Sequence, residues 1–239
     1  MPRFYVPQAF AAGETVMLPE NVCRHVQVLR LRAGDGVELF DGRGMCARAV
    51  LADIGRKQVA ATMLAVSAQS RESPLEVVLL QGVSAAERMD FTLQKSTELG
   101  VNRIVPVLTE RATVRLQGER AAKKVQRWQE IVISACEQCG RNLVPEVAPL
   151  GSLAQVLPAL PAQGARLLMS PRRAGRLADV PPPKRVVLLV GPEGGLSEKE
   201  EELALQHGFQ AVLLGRRILR TETAALAALA ALQTLWGDF

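Results

Sequence analysis

The sequence predicts an α/β protein in which a parallel sheet follows a small β-rich domain, and three observations carry that reading. Residues Met1 to Ser70 alternate short β-like runs with tight turns, Ala33-Gly34-Asp35-Gly36 and Asp41-Gly42-Arg43-Gly44. After the polar stretch Arg71-Glu72-Ser73-Pro74 the pattern changes to strands alternating with helices, the grammar of a parallel sheet. Finally, Arg185 to Ala224 runs as strand, glycine loop, helix, strand and second loop with almost no spare residues. A small barrel is therefore expected over residues 1–72 and an α/β domain over 73–239.

Within the barrel the only helical candidate is Pro19 to Arg30. Beyond the boundary, Leu75 to Val83 reads as an apolar strand, Ala85 to Leu99 as a helix closed by Gly100, and Ile104 to Leu108 as a strand with the polar exit Thr109-Glu110-Arg111-Ala112-Thr113. A long helix runs from Gly118 to Cys139. Leu153 to Leu160 is a short helix and Ala165 to Met169 a strand. Ser170 to Lys184 is an irregular connection holding Pro171, Arg172, Arg173, Arg176 and three consecutive prolines, a length that marks functional or mobile loops. Val186 to Val190 is a β-branched run that ends at Gly191-Pro192-Glu193-Gly194-Gly195. Ser197 and Glu200 form a capping box, so Ser197 to His207 is a helix, ended by Gly208. The strand Phe209 to Leu214 follows at once. The last helix, Thr223 to Trp236, carries no charge from Ala224 to Leu235, and an apolar face on every side must be buried in a core or a dimer interface.

Loops leaving the carboxyl ends of parallel strands are where open α/β sheets bind ligands. The strands ending at Val190 and Leu214 are expected to be neighbours and to present two such loops, and the connection after Met169 offers a third wall. The glycine loop lets backbone approach a ligand, yet it lacks a Walker lysine and a G-x-G-x-x-G turn, and Glu193 would repel a polyphosphate. A neutral or cationic nucleoside fits better, and S-adenosylmethionine, a sulfonium without phosphates, meets that description. Taken alone, the loop fits a merely structural turn equally well. The second loop carries Arg216, Arg217, Arg220 and Glu222. At the end of the long helix Ser134, Gln138 and Arg141 share a face that could present an amide and a guanidinium.

With 48% apolar and 22% charged residues, the 239-residue chain has the composition of a soluble protein with a real core. A formal charge of +5 and a pI near 9.3 are compatible with a polyanionic partner. Arg3, Arg24, His25, Arg30 and Arg32, near Phe4 and Tyr5, suit phosphate contacts and base stacking, or simply a solvated face. No signal segment is evident and no apolar run reaches the ~18 residues needed to span a bilayer, so a cytoplasmic protein without membrane contact is expected. Cys136 and Cys139 form one C-x-x-C, but they fall on the apolar stripe of Val125, Trp128 and Val132. With no second pair to complete a tetrahedral site, no metal is expected.

The spacing of GPEGG from LGRRILRTETA resembles the C-terminal signature of the RsmE family of SPOUT methyltransferases. The resemblance extends along nearly the whole chain, through RFYV, HVQVLRLRAGDGVELFDGRG, KSTELG at Lys95 to Gly100 and ACEQCGR at Ala135 to Arg141. It implies a PUA-like N-terminal barrel, a C-terminal deep trefoil knot, a homodimer, and methylation of N3 of a uridine in 16S rRNA of the small ribosomal subunit with S-adenosylmethionine as donor. Carried over by motif, the donor site comprises Leu168, Met169, Gly191, Glu193, Gly194, Gly195, Leu214, Gly215, Ile218, Leu219, Thr223 and Ala224. A PUA-like module favours RNA contact by Arg3, Arg24, Arg30 and Arg32, with Arg172 from the long connection. The chain departs from the pattern at Ala112-Thr113, where Ser-Val-like residues are expected.

Methyl transfer from a sulfonium is an in-line displacement that needs alignment more than a nucleophilic side chain. Uracil N3 must lose a proton, and Arg220 first, then Arg141, are expected to stabilise the resulting anion. Glu222 is expected to orient Arg220 rather than to act as a base. The alternatives are a SPOUT ribose 2′-O-methyltransferase and a non-catalytic RNA-binding assembly factor; the missing G-x-G-x-x-G disfavours a nicotinamide enzyme.

Overall fold

The computed structural model describes residues 1–55, 58–114, 116–172 and 175–239. Its contacts divide into two units, Met1–Glu72 with Cys136–Val144, and Ser73–Ala135 with Pro145–Phe239.

The first unit is built from β1 (Arg3–Tyr5), β2 (Thr15–Met17), α1 (Glu20–Val28), β3 (Gly36–Phe40), β4 (Met45–Ile54) and β5 (Val59–Ala68). Its five strands lie in the order β1-β3-β4-β5-β2, with β1 parallel to β3 and the other pairs antiparallel. Register shifts at Arg48/Ala49 and Leu51/Asp53 break the long β4–β5 ladder, and such irregularities bend a strand and increase its twist. The inward face packs Phe4, Val16, Val37, Leu39, Ala49, Leu51 and Met63 against Val22 and Val26 of α1.

Cys136–Val144 joins this unit because its side chains finish that unit's packing. Cys136 packs with Phe40 and Cys46, and Arg3 donates to the Cys136 carbonyl at 3.0 Å and to Asn142 Oδ1 at 2.5 Å. By contacts the chain divides at Glu72/Ser73, and the segment Cys136–Val144, inside the expected 73–239 domain, groups with the first unit; a contact pattern reaching over a hundred residues back along the chain leaves no local trace.

The second unit contains β6 (Glu76–Gly82), α2 (Ala86–Glu98), β7 (Arg103–Leu108), α3 (Gly118–Cys139), β8 (Glu146–Val147), β9 (Gly151–Ser152), α4 (Leu153–Val156), β10 (Ala165–Met169), β11 (Arg185–Val190), α5 (Glu198–Gln206), β12 (Gln210–Val212) and α6 (Thr221–Trp236). Seven strands form one parallel sheet in the order β12-β10-β11-β6-β7-β8, with β9 also on β7. Strands β6, β10 and β11 are central, buried on both faces and rich in Val and Leu, as parallel strands must be. The capping box of Ser197 and Glu200 starts α5. Helix α2 packs on α6, and the buried Gln233 of α6 joins them by donating to the Leu99 carbonyl at 3.0 Å and accepting from Ser73 Oγ at 2.6 Å. Strands β11 and β12, expected as neighbours, are separated by β10; the α5 crossover carries the chain over the intervening strand, a skip that short connections do not reveal. Among the described residues no helix is long and apolar enough to cross a membrane, and no cluster of three or more His, Cys, Asp or Glu could hold a metal.

Burial pushes the Cys136 thiol up to about 12, against the lowering influence of Arg141. A protonated thiol is a poor nucleophile. In the native protein Cys136 is therefore expected to resist iodoacetamide at pH 8 while the partly exposed Cys139 reacts, and to become labelled only on unfolding. Peptide mapping by mass spectrometry reads the order, and equal labelling of the two would contradict this packing.

Candidate functional site

Three loops leave the carboxyl ends of β11, β10 and β12 and enclose a cavity of about 400 Å³, within the range that holds a nucleoside-sized ligand. The first wall is Val190 to Leu196, the glycine loop. The second is Met169, Ser170, Pro171 and Arg172. The third is Leu213, Leu214, Arg217, Ile218, Leu219, Arg220 and Thr221, with Ala224 from α6 and Arg88 from α2.

Close approach explains two of the glycines. A Cβ on Gly194 would sit 2.9 Å from Arg111 Cβ, and one on Gly82, at the end of β6, would lie 2.5 Å from the Pro192 nitrogen. The glycine loop thus rests directly on the β6 backbone. It is also held from outside: Arg111 donates to the Gly194 carbonyl at 3.3 Å, and the Glu110 amide donates to Glu200 at 2.9 Å. Across the cavity Thr221 Oγ1 donates to the Gly191 carbonyl at 2.6 Å and accepts from Gln81 Nε2 at 3.0 Å.

The charge pattern is divided. Glu193 and Glu201 lie in the cavity wall, and Glu201 accepts from Ser170 Oγ at 3.2 Å. Arg217 and Arg220 are exposed at the rim. The wall also carries Arg88, 3.2 Å from Glu193, and Arg172, 4.0 Å from Glu201, so the wall carboxylates are paired while the rim arginines face solvent.

Of the residues expected to bind the donor, Met169, Gly191, Glu193, Gly194, Gly195, Leu214, Ile218, Leu219 and Ala224 line the cavity. Leu168, Gly215 and Thr223 do not. Strand alternation turns Leu168 into the core beside Val187 and Leu189, Gly215 is an exposed turn with φ +72°, and α6 begins at Thr221, which leaves Thr223 on its outer face. Thr221 is the threonine that faces inward.

Three expected site residues have other partners in the structure. Arg141 is not a free guanidinium: its side chain is 5% exposed and bonds Glu72 through Nε, at 3.0 Å, and through Nη2. Arg3 likewise pairs with Glu38 at 2.6 Å and stacks 4.8 Å from the Phe40 ring. Among the described residues Glu222 makes no ion pair with Arg220 and instead faces Arg88, at 3.9 Å. Arg172 belongs to the cavity wall, where Nη2 donates to the Leu196 carbonyl at 2.9 Å. Arg24, Arg30 and Arg32 are exposed on the first unit, with Arg24 paired to Glu20. Arg88 and Gln81 were missed, because nothing local in α2 or β6 points toward a loop more than a hundred residues away.

A parallel sheet with a nucleoside-sized, phosphate-averse cavity, preceded in the chain by a β-rich unit, defines the class, and family comparison agrees with it. Residues 71–233 match an RNA methyltransferase domain, and residues 18–64 an RNA methyltransferase PUA domain. Similar full-length relatives include the ribosomal RNA small subunit methyltransferase E of Buchnera aphidicola subsp. Schizaphis graminum, 34% identical with 100% of this chain and 98% of the relative covered. That of Bacillus subtilis is 30% identical, covering 89% and 87%. The crystal structure of a ribosomal RNA small subunit methyltransferase E from Neisseria gonorrhoeae bound to S-adenosylmethionine is 53% identical, with a TM-score of 0.97 over 100% of this chain and 99% of that one. A putative methyltransferase from Legionella pneumophila, in complex with the same cofactor, is 40% identical with a TM-score of 0.96 over 99% and 98%. The chain belongs to the ribosomal RNA small subunit methyltransferase E family.

Removing one partner of a buried ion pair leaves the other uncompensated, at a cost of about 3–5 kcal/mol. Arg141→Ala is therefore expected to lower the unfolding midpoint sharply in a calorimetric scan. A variant with native stability and abolished methyl transfer would restore Arg141 to the reaction.

Proposed function

We propose that this protein transfers the methyl group of S-adenosylmethionine to N3 of a uridine in 16S rRNA of the small ribosomal subunit, in the cytoplasm. The single observation that carries the reading is the cavity formed by the three strand-end loops. Its walls offer backbone, leucines and two carboxylates, Glu193 and Glu201, each beside an arginine, and the glycine loop has no Walker lysine, which matches a sulfonium nucleoside. The methyltransferase relatives crystallised with that molecule support the same assignment.

The residues fit the donor on their own chemistry. A Cβ on Gly191 would stand 3.0 Å from the Leu196 amide and 3.1 Å from the Gly195 carbonyl carbon, so the glycine lets the loop close tightly on its own backbone beside the cavity. Met169, Leu214, Ile218 and Leu219 supply an apolar slot for a purine ring, and Glu193 and Glu201 offset positive charge. When bound, the donor supplies an electrophilic methyl group and a neutral thioether leaving group. The protein's part is alignment, exclusion of water and stabilisation of the acceptor. Arg220 is suited to stabilising the acceptor, because it stands immediately before α6 at the cavity rim, is exposed, and has no ion pair among the described residues. Its guanidinium can stabilise charge on the uracil oxygens as N3 gives up its proton. Arg24, Arg30 and Arg32 provide phosphate contacts on the N-terminal unit.

The reading extends to architecture. Gln81 and Thr221 draw the segment after β12 back, past β10, to the ends of β6 and β11, in keeping with a deep trefoil knot. Ile218, 86% exposed at the rim, and the exposed Leu235 of α6 support pairing of two chains.

Labelled S-adenosylmethionine incubated with small subunits lacking base modifications, followed by nucleoside chromatography, is expected to place label in 3-methyluridine. Label in a 2′-O-methyl nucleoside would overturn the acceptor, and failure to bind the donor would overturn the enzyme. Arg220→Ala is expected to lower turnover by about 10²–10³-fold with donor affinity retained in calorimetric titration; parallel loss of both would move Arg220 into the donor site.

A further inference from the structure

Four buried side-chain atoms without a hydrogen-bond partner gather at the carboxyl end of β6 and the start of α2. They are Gln81 Oε1, Ser84 Oγ, Glu193 Oε2 and Glu222 Oε2. Polar atoms left unsatisfied in a folded interior are costly and mark places where geometry serves something besides stability. At their centre is Arg88, in the first turn of α2. Its Nη1 lies 3.2 Å from Glu193 Oε1 and its Nε 3.9 Å from Glu222 Oε1. The two carboxylates are largely enclosed, with side chains 19% and 16% exposed.

These partners come from the two loops that must cooperate. Glu193 is the only charged residue of the glycine loop, and Glu222 stands two residues after Arg220 in the first turn of α6. Helix α2 adds a second hold. Its N-cap, Ala85, has no side chain able to cap, and the Ala85 amide donates at 2.8 Å to the same Glu193 oxygen that faces Arg88. Glu193 therefore caps α2 from across the site, where a carboxylate is favoured at a helix amino end. Thr221, between Arg220 and Glu222, is fastened to Gly191 and Gln81.

We propose that Arg88 is a positioning residue that clamps the donor loop and the Arg220 loop in one register through Glu193 and Glu222. It acts through those carboxylates and not on the uracil. A planar guanidinium offers donors along two edges and can hold two carboxylates at once, whereas an ammonium is a point charge suited to one. Without it, two enclosed carboxylates face each other uncompensated and the loops part. The inference rests on the methyl-transfer reading above, and its test is separable from it.

Arg88→Ala and Arg88→Lys would be measured for S-adenosylmethionine affinity by calorimetry, for turnover on small subunits at saturating donor, and for unfolding midpoint. A displacement of about 1 Å between reacting groups costs on the order of 10²-fold, so Arg88→Ala is expected to lose turnover on that scale and to bind donor more weakly. Arg88→Lys should fall between alanine and wild type. Guanidinium at sub-denaturing concentration should restore part of the alanine variant's turnover, where sodium at equal ionic strength does not. Unchanged turnover in Arg88→Ala overturns the clamp, as does a loss that tracks the unfolding midpoint and resists guanidinium. If wild type binds the donor but methylates no small subunit, the substrate reading fails, while the ratio of donor affinities between wild type and Arg88→Ala still decides the clamp.

Discussion

The hydrogen bond from Thr221 Oγ1 to the Gly191 carbonyl, backed by Gln81, is the contact on which the site depends. It joins the start of α6 to the end of β11 across the mouth of the sheet. Thr221 is buried and Gln81 fully so, hence water does not compete and the bond is worth more than its surface equivalent. It fixes the first residue of α6, with Arg220 just before it at the rim and Ala224 one turn on in the wall, while α2 and Gln233 hold the rest of that helix.

Electrostatics then sort the surfaces. Carboxylates sit in the wall, where Glu193 and Glu201 would repel phosphate, and arginines stand at the rim, where Arg217 and Arg220 meet solvent. The enclosed acids are kept tolerable by cations and donors from neighbouring elements, Arg88 for Glu193 and Glu222, and Ser170 for Glu201. Burying charge without such partners would cost several kcal/mol per group.

The N-terminal unit uses its arginines differently. Arg3 and Arg141 look alike in sequence to the exposed Arg24 and Arg30, yet both are spent on fixing Cys136–Val144 to the β-rich sheet through Glu38, Asn142 and Glu72. Burial, not residue type, separates these structural arginines from the exposed ones. The same segment buries Cys136 against Phe40 and Cys46, which makes the C-x-x-C spacing a consequence of helical packing.

Local chemistry alone determined much of this protein. The Ser197–Glu200 box, the glycines that end helices, the β-branched run before Gly191 and the change of grammar near Ser73 are signals carried by neighbouring residues, and elements and loops follow from them. The glycine loop was legible as a ligand loop because it holds a carboxylate and no phosphate-binding lysine. Tertiary structure alone decided that β10 separates β11 from β12, that Thr221 and not Thr223 faces the cavity, that Arg141 answers Glu72, and that Arg88 reaches Glu193 and Glu222. Each of these depends on residues far apart along the chain or on the turn at which a helix begins. Periodicity and capping describe a residue's neighbours along the chain; which distant carboxylate an arginine meets is set by the packing that brings them together.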